Sequence, residues 1–456
     1  MSQFRLVRLS LIAAALGLSA APALLTSAHA QAQPAAAAAA PAAQETIRPD
    51  MFKLIDPAKV KEMMAAKNYA AVQANLTAAR AFPNITPYEM YVINRMELSL
   101  GATTGNDKMA MAALEAVINS GRLNATEKAT FIEALANYHY NAKDYKKAIE
   151  WMKTYQKESP TPEKVTPALA RAYYITDDFA NAKVEAERMI AEAEKAGRKP
   201  SQEDYRLLAS VAAKLKDNAG YIAATEKLVA SYPSADFWTD LIRRLHNQKN
   251  LNERLRLDVY RLQMATAKEM EDVEYIEMAE RAAAAGFFAE AKQVLDAGFA
   301  AGKLGNGADA AKHKAALAKA TKNAADDAKT IANGEAGAMK AKSGTPLFNL
   351  GLAYVGMDQA DKGIEMMEQG IAKGGMKNAD DSKLRLAAAY AKAGRKDDAL
   401  KTLREVKGTD GAADIARYWI LHLNAPAAGT AAPAAAGAAP AATAPAAAPA
   451  PAAPAK

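Results

Sequence analysis

Cysteine is absent from all 456 residues. That excludes disulfides, thiolate metal sites, a cysteine nucleophile and a lipid carried on a thiol. Histidine is scarce too: His29, His139, His246, His313 and His422 never pair at the spacing of metal ligands. No H-E-x-x-H, Walker loop, G-x-S-x-G or G-x-G-x-x-G occurs. The glycine-rich LGNGAD at 304–309 lacks a preceding strand and the lysine of a phosphate cradle, so it reads as a turn. After about Leu25 no apolar run is long enough to span a membrane. Strand-like alternation never lasts more than a few residues. Together these absences argue against an enzyme, and no cofactor or metal is expected.

A strong excess of one charge is also missing. The formal charge is +7, and without Arg5 and Arg8 there remain 56 basic against 51 acidic side chains. Nucleic acid would call for a concentrated basic patch, so it is not an expected partner.

The two ends stand apart from the rest. Residues 1–30 carry Arg5 and Arg8, then an apolar stretch from about Leu9 to Leu25, then the small-x-small pattern Ala28-His29-Ala30. That is the layout of a cleavable export signal. Ala30-Gln31-Ala32 offers a second cleavage point, and an uncleaved N-terminal anchor is the alternative reading. Export would place a soluble mature protein in the periplasm. Residues 31–46 and 425–456 are Ala/Pro tracts without apolar periodicity, read as a linker and a disordered tail, either inert or acting as a spacer.

Between these ends apolar residues recur at three and four, the helical period, and the pattern repeats. Tyr145 to Phe179 and Ala148 to Ala182 are both separations of 34, and KDYKKAI repeats as DDFANAK. Residues 349–371 align with 385–406 at a shift of 36, placing Leu350 on Leu386, Tyr354 on Tyr390 and Gly363 on Ala399. Residues 275–299 fall in the same frame, with Gly286 at the turn and Ala291 at the small position.

These residues resemble the tetratricopeptide repeat, in which a first helix carries W-x2-L-G-x2-Y and a second carries a small residue, an aromatic and a closing proline. On that resemblance, Leu135-Ala136, Leu169-Ala170, Leu208-Ala209, Met278-Ala279, Leu350-Gly351 and Leu386-Ala387 stand for the Leu-Gly pair. Tyr173, Tyr354 and Tyr390 stand for the Tyr, and Ala148, Ala182, Ala291, Gly363 and Ala399 for the small residue. Trp238 and Tyr205 take the Trp position, and Pro160 and Pro233 close their units. Two helices approach closely only over small side chains, and no pair can bury its apolar face alone.

The implied fold is all-α, a right-handed α-solenoid of antiparallel helix pairs with about eight units. Units at 47–303 and 344–424 flank an irregular helical insertion at 304–343 that breaks the frame. Departures include Tyr221 and Arg254 at small positions and His139 at a Tyr position. Solenoid stability is a sum over neighbouring units, so a cut between repeats, for instance after Pro233, is expected to leave a partly helical, soluble fragment.

The acidic pairs Asp177-Asp178, Asp326-Asp327, Asp380-Asp381 and Asp397-Asp398 recur with the repeat, most of them at turns or helix starts. There they cap backbone N–H groups and suit the helix dipole, a reading favoured over acid–base chemistry.

The resemblance also implies a concave, partner-binding face built from first helices. Its residues here would be Asn137, Tyr140, Asn141, Arg171, Tyr174, Arg206, Ser210, Lys214, Arg243, His246 and Asn247. The set is polar, partly aromatic and net basic, suited to gripping a peptide backbone and carboxylates. Solvated helix faces are the plain alternative. The equivalent later positions, Phe348, Leu352 and Val355, are apolar, which points to burial by the irregular 304–342 segment rather than to a hydrophobic docking patch. The expected function is a non-catalytic periplasmic scaffold binding envelope proteins, with an accessory role in a TonB-type outer-membrane uptake system as a narrower version. The alternative is a small ligand or cell-wall glycan in the central groove.

Overall fold

The computed structural model describes residues 45–267 and 270–425. The signal peptide expected at 1–30 and the Ala/Pro tracts, apart from residues 45, 46 and 425, lie outside the described residues. Among the described residues all regular structure is helical. The chain divides into two compact units. One runs up to Pro200 and includes Ser210–Lys216; the other holds Ser201–Ala209 and continues from Asp217.

The first unit contains α1 (Pro49–Ile55), α2 (Pro57–Ala65), α3 (Tyr69–Arg80), α4 (Pro87–Thr104), α5 (Asp107–Asn119), α6 (Ala125–Asn141), α7 (Tyr145–Glu158), α8 (Thr166–Ile175) and α9 (Phe179–Lys195). Residues of α10 (Gln202–Lys214) are divided between the two units. The helices pack as pairs, α4 on α5, α6 on α7 and α8 on α9.

One turn design makes these pairs. Lys67, Gly105, Lys143 and Asp177 each hold positive φ, at 59°, 75°, 61° and 59°. The next residue in each case, Asn68, Asn106, Asp144 or Asp178, points its N–H back to a carbonyl five residues earlier, at 2.8–2.9 Å. That hydrogen bond closes the outgoing helix in a Schellman turn. The same residue's side chain accepts the N–H three positions on and opens the next helix. One two-residue module thus stops one helix and starts its partner, which is why KDYKKAI and DDFANAK look alike. Ala148 and Ala182 then lie fully buried where each pair crosses.

The N-terminal edge of this unit is pinned by charge. Glu89, 1 % exposed, closes a capping box with Thr86 and accepts Arg48 through Nε at 2.8 Å and Nη2 at 2.7 Å. These bonds hold the Glu89 carboxyl down at about 2.

The second unit contains α11 (Asn218–Ser231), α12 (Ala235–His246), α13 (Arg256–Thr266), α14 (Asp272–Ala284), α15 (Phe288–Ala300), α16 (Ala310–Thr330), α17 (Glu335–Lys340), α18 (Thr345–Gly356), α19 (Ala360–Lys373), α20 (Ala379–Lys392), α21 (Lys396–Leu403) and α22 (Ala412–Asn424). The pairs α14–α15, α18–α19 and α20–α21 follow the repeat. In α18–α19 the crossing is set by glycine. A Cβ on Gly363 would sit 2.5 Å from the Gly351 carbonyl and 2.6 Å from Val355. The 304–343 segment forms α16, a short 3₁₀ turn at Ile331–Gly334 and α17. Leu304 and Ala320 enter the core, with Ala316 and Leu317 half-buried beside it, and Ala338 joins a smaller cluster with Leu347, Tyr354 and Met366.

Here the packing reaches beyond chain neighbours. The last helix, α22, packs against α11, α13, α20 and α21. Trp238, Leu241, Val259 and Leu262 share one apolar core with Leu384, Ile415, Tyr418 and Trp419. An end pair of a solenoid exposes an apolar face that must be covered. This unit covers it with its own C-terminal helix. Charge reinforces the closure: Asp258 accepts Arg385, 127 residues away, at 2.9 Å, and Arg254 donates to Asp381 at 2.9 Å and also pairs with Asp410.

Arg254, which the repeat frame puts at a helix crossing, lies instead in the 3₁₀ turn Glu253–Leu255, and this explains its size and charge. Tyr221, the other oversized residue, stays half-buried and donates its hydroxyl to Asp240 at 2.9 Å. His139 is buried with Nδ1 3.4 Å from Asp144.

Candidate functional site

Ten of the eleven residues expected to form a partner-binding face fall on helices of the two units, and Asn247 caps the end of α12. In the first, Asn137, Tyr140 and Asn141 lie on the last turns of α6, Arg171 and Tyr174 on α8, and Ser210 and Lys214 on the end of α10. Asn137, Tyr140, Tyr174 and Ser210 are half-buried; Asn141, Arg171 and Lys214 are exposed.

The aromatic members stand on matched supports. Tyr140 meets Tyr145 edge-on at 5.2 Å, and Tyr174 meets Phe179 edge-on at 5.6 Å. In each case the partner ring is the first residue of the following helix, so the turn module itself sets the spacing. Cations accompany both pairs. The Lys214 ammonium lies 5.8 Å from the Phe179 ring. Burial pushes the Tyr140 hydroxyl up, partly offset by the charge of Arg171 beside it. Among the described residues Arg171 makes no ion pair. Pro167 sits in the first turn of α8, preceded by the 3₁₀ turn Pro162–Val165.

In the second unit the expected residues are mostly occupied within their own helices. The Arg243 guanidinium donates to Asp240 at 2.8 Å, and Asn247 donates to the Arg243 carbonyl at 2.9 Å as a helix end. His246 is half-buried, with its ring 4.7 Å from Tyr260 and Nε2 3.3 Å from Gln263 Oε1. Burial lowers its pKa, against the opposing effect of the Gln263 bond. Arg206 lies over Phe237 at 5.2 Å and remains exposed.

Phe348, Leu352 and Val355 are buried, at 1 %, 9 % and 5 % exposure, in the core with Leu386 and Tyr390. Burial was expected beneath the 304–342 segment, but that segment adds only Leu304 and Ala320 to this core, which is drawn mostly from α14, α15, α19 and α20. Leu352 and Val355 also line a cavity of about 420 Å³ that the sequence did not suggest. Arg261, Arg385, Trp419 and His422 share its wall. The signals were faint: Arg254 looked like a lapse in the repeat, and Asp380-Asp381 looked like a cap. Asp381 does sit in the first turn of α20, but its carboxylate holds Arg254.

The other acidic pairs divide similarly. Asp178 caps α9, and Asp398 lies in the first turn of α21 paired with Arg395 at 2.8 Å. Asp326 and Asp327 lie near the end of α16, not its start. Among the described residues no group of three His, Asp or Glu side chains is placed to hold a metal, and no helix is long and apolar enough to cross a membrane.

A sequence model of the tetratricopeptide repeat matches residues 381–409, which are α20, α21 and the turns around them. No curated protein matches the chain. Loose structural similarities exist. A tetratricopeptide repeat protein from Parabacteroides merdae aligns over 74 % of this chain and 98 % of its own, at 10 % identity and a TM-score of 0.28. The TPR domain of P58(IPK) aligns over 82 % and 98 %, at 12 % identity and 0.20. A chain of the APC/C hetero-tetramer Cut9–Hcn1 aligns over 82 % and 91 %, at 11 % identity and 0.22. Residues 381–409 thus match a tetratricopeptide repeat, and the turn, small-residue crossing and helix pairing seen there recur through both units.

Proposed function

We propose that this chain is a non-catalytic scaffold that binds protein partners in the periplasm through the polar and aromatic face of its first unit. Tetratricopeptide repeats serve protein–protein interaction, and that much follows from the fold. The observation that carries the narrower reading is Arg171. It is an exposed guanidinium without a counter-ion among the described residues, beside Tyr140 and one turn from Tyr174. A bare guanidinium next to held aromatic rings suits a peptide carboxylate, which it can bind bidentately. Rings fixed by their neighbours lose little entropy on binding.

Crosslinked capture from the envelope of the host tests this. A specific partner should be recovered with the wild-type chain and lost with Arg171→Glu. Retention of every partner by that variant would move the site off this face. Periplasmic placement rests on the signal-like N-terminus. An accessory role in a TonB-type uptake system would require captured components of such a system. The small-ligand or glycan alternative draws on the same Tyr140 and Tyr174 rings, and predicts a ligand-dependent melting shift with the purified chain alone.

A further inference from the structure

We infer that the cavity of the second unit is a binding site for a neutral, mainly apolar small molecule with one hydrogen-bonding group, seated against Trp419 and His422. It is independent of the partner-binding face proposed above. At about 420 Å³ it falls within the roughly 300–1,000 Å³ of small-molecule sites. It is lined by helices distant in sequence, α13 to α15, α18, α20 and α22, and it exists because α22 folds back over the unit.

The charge of the wall decides the ligand class. Arg261 is gripped by Glu290, at 2.7 Å through both Nε and Nη2, and by Asp258 at 2.7 Å. Arg385 is held by Asp258. Lys392 donates to the Val355 carbonyl and to Asp358, both at 3.0 Å. Gln293 donates to the Gly356 carbonyl at 2.9 Å. Each of these side chains is already paired within the protein, so a charged ligand would have to compete with an existing pair. The remaining wall is apolar, with Met264, Met278, Leu352, Val355, Trp419 and Leu423.

His422 is not paired in this way. Its ring lies edge-on to Trp238 at 6.0 Å and to Trp419 at 5.9 Å. Among the described residues its nitrogens make no hydrogen bond. Burial lowers its pKa, so at neutral pH it is an uncharged imidazole with one donor and one acceptor to offer. An apolar wall in which the neutral His422 imidazole and the Trp419 indole N–H make no hydrogen bond among the described residues matches a molecule such as a hydroxylated ring system rather than an ion.

The test is a titration of the purified full chain with naphthalene and with 1-naphthol, followed by quenching of tryptophan emission. The expected result is saturable one-to-one binding, with 1-naphthol bound at least fivefold more tightly. Ala388→Trp should fill the cavity and weaken both ligands at least tenfold. Met264→Trp, at a 37 % exposed rim residue, gives the same reading should Ala388→Trp fail to fold. His422→Phe should abolish the preference for 1-naphthol while leaving naphthalene binding within about twofold. No saturable binding to the wild type would overturn the inference. So would affinities unchanged in a folded cavity-filling variant, or a 1-naphthol preference that survives His422→Phe.

Discussion

Replacing Asp258 tests the closure of the second unit most directly. Its carboxylate is 2 % exposed and accepts Arg385 at 2.9–3.2 Å and Arg261 at 2.7 Å. Breaking a buried ion pair by deleting one partner costs about 3–5 kcal/mol. Here the loss is smaller. Arg261 keeps Glu290, and Arg385 keeps a longer contact to Asp381 at 3.9 Å. For Asp258→Asn we therefore expect about 2–4 kcal/mol. Hydrogen exchange reads this locally: amides of α13 and α20 should lose roughly thirtyfold to a thousandfold in protection, at about tenfold per 1.4 kcal/mol. Arg385→Gln should produce the same pattern, and the double variant should fall well short of the sum, because the two side chains share one interaction. An effect below about 0.5 kcal/mol, the scale of surface pairs, would refute the clamp. The sign with pH follows from the charges. Burial raises the Asp258 carboxyl, but Arg385 and Arg261 outweigh it and hold the group below its ordinary value of 3.8. The stabilisation is thus complete above that value and is lost as pH falls through the lower folded one.

Other expectations follow from the same geometry. Glu89, held at about 2 by Arg48, stabilises the first unit fully above about pH 4.5, so the melting difference between wild type and Glu89→Gln should shrink steadily towards pH 2; a constant difference would contradict the pairing. Gly363→Ala should cost about 1–3 kcal/mol by urea titration, because the added Cβ meets the Gly351 carbonyl; an increase in stability, as helix propensity alone would give, would show that the crossing is loose. Ending the chain at Gly408 removes α22 and should lower exchange protection in α12 and α13, whereas a strictly nearest-neighbour solenoid would lose protection only in α20 and α21. N-terminal sequencing of exported protein should find Gln31 or Gln33 as first residue; an intact Met1 would point to an anchor.

Much of the fold was legible in the order of residues, for local reasons. The turn module needs only a residue tolerant of positive φ, a short polar cap and a helix period. All three are written within seven residues, as in KDYKKAI. The small positions Ala148, Ala182, Ala291 and Ala399 are buried as the crossing of two helices requires. The spacing of Tyr140 and Tyr174 was legible for the same reason, since both ride on that repeated turn. What the tertiary structure alone decided lies in the second unit. Asp258 and Arg385 are 127 residues apart and carry no mark of their pairing, and Trp419 and His422 belong to a helix outside the repeat frame. A repeat announces itself because each unit solves the same local problem. Closure of the second unit, and the cavity it creates, depends on which exposed apolar end α22 happens to cover, and only the assembled packing specifies that.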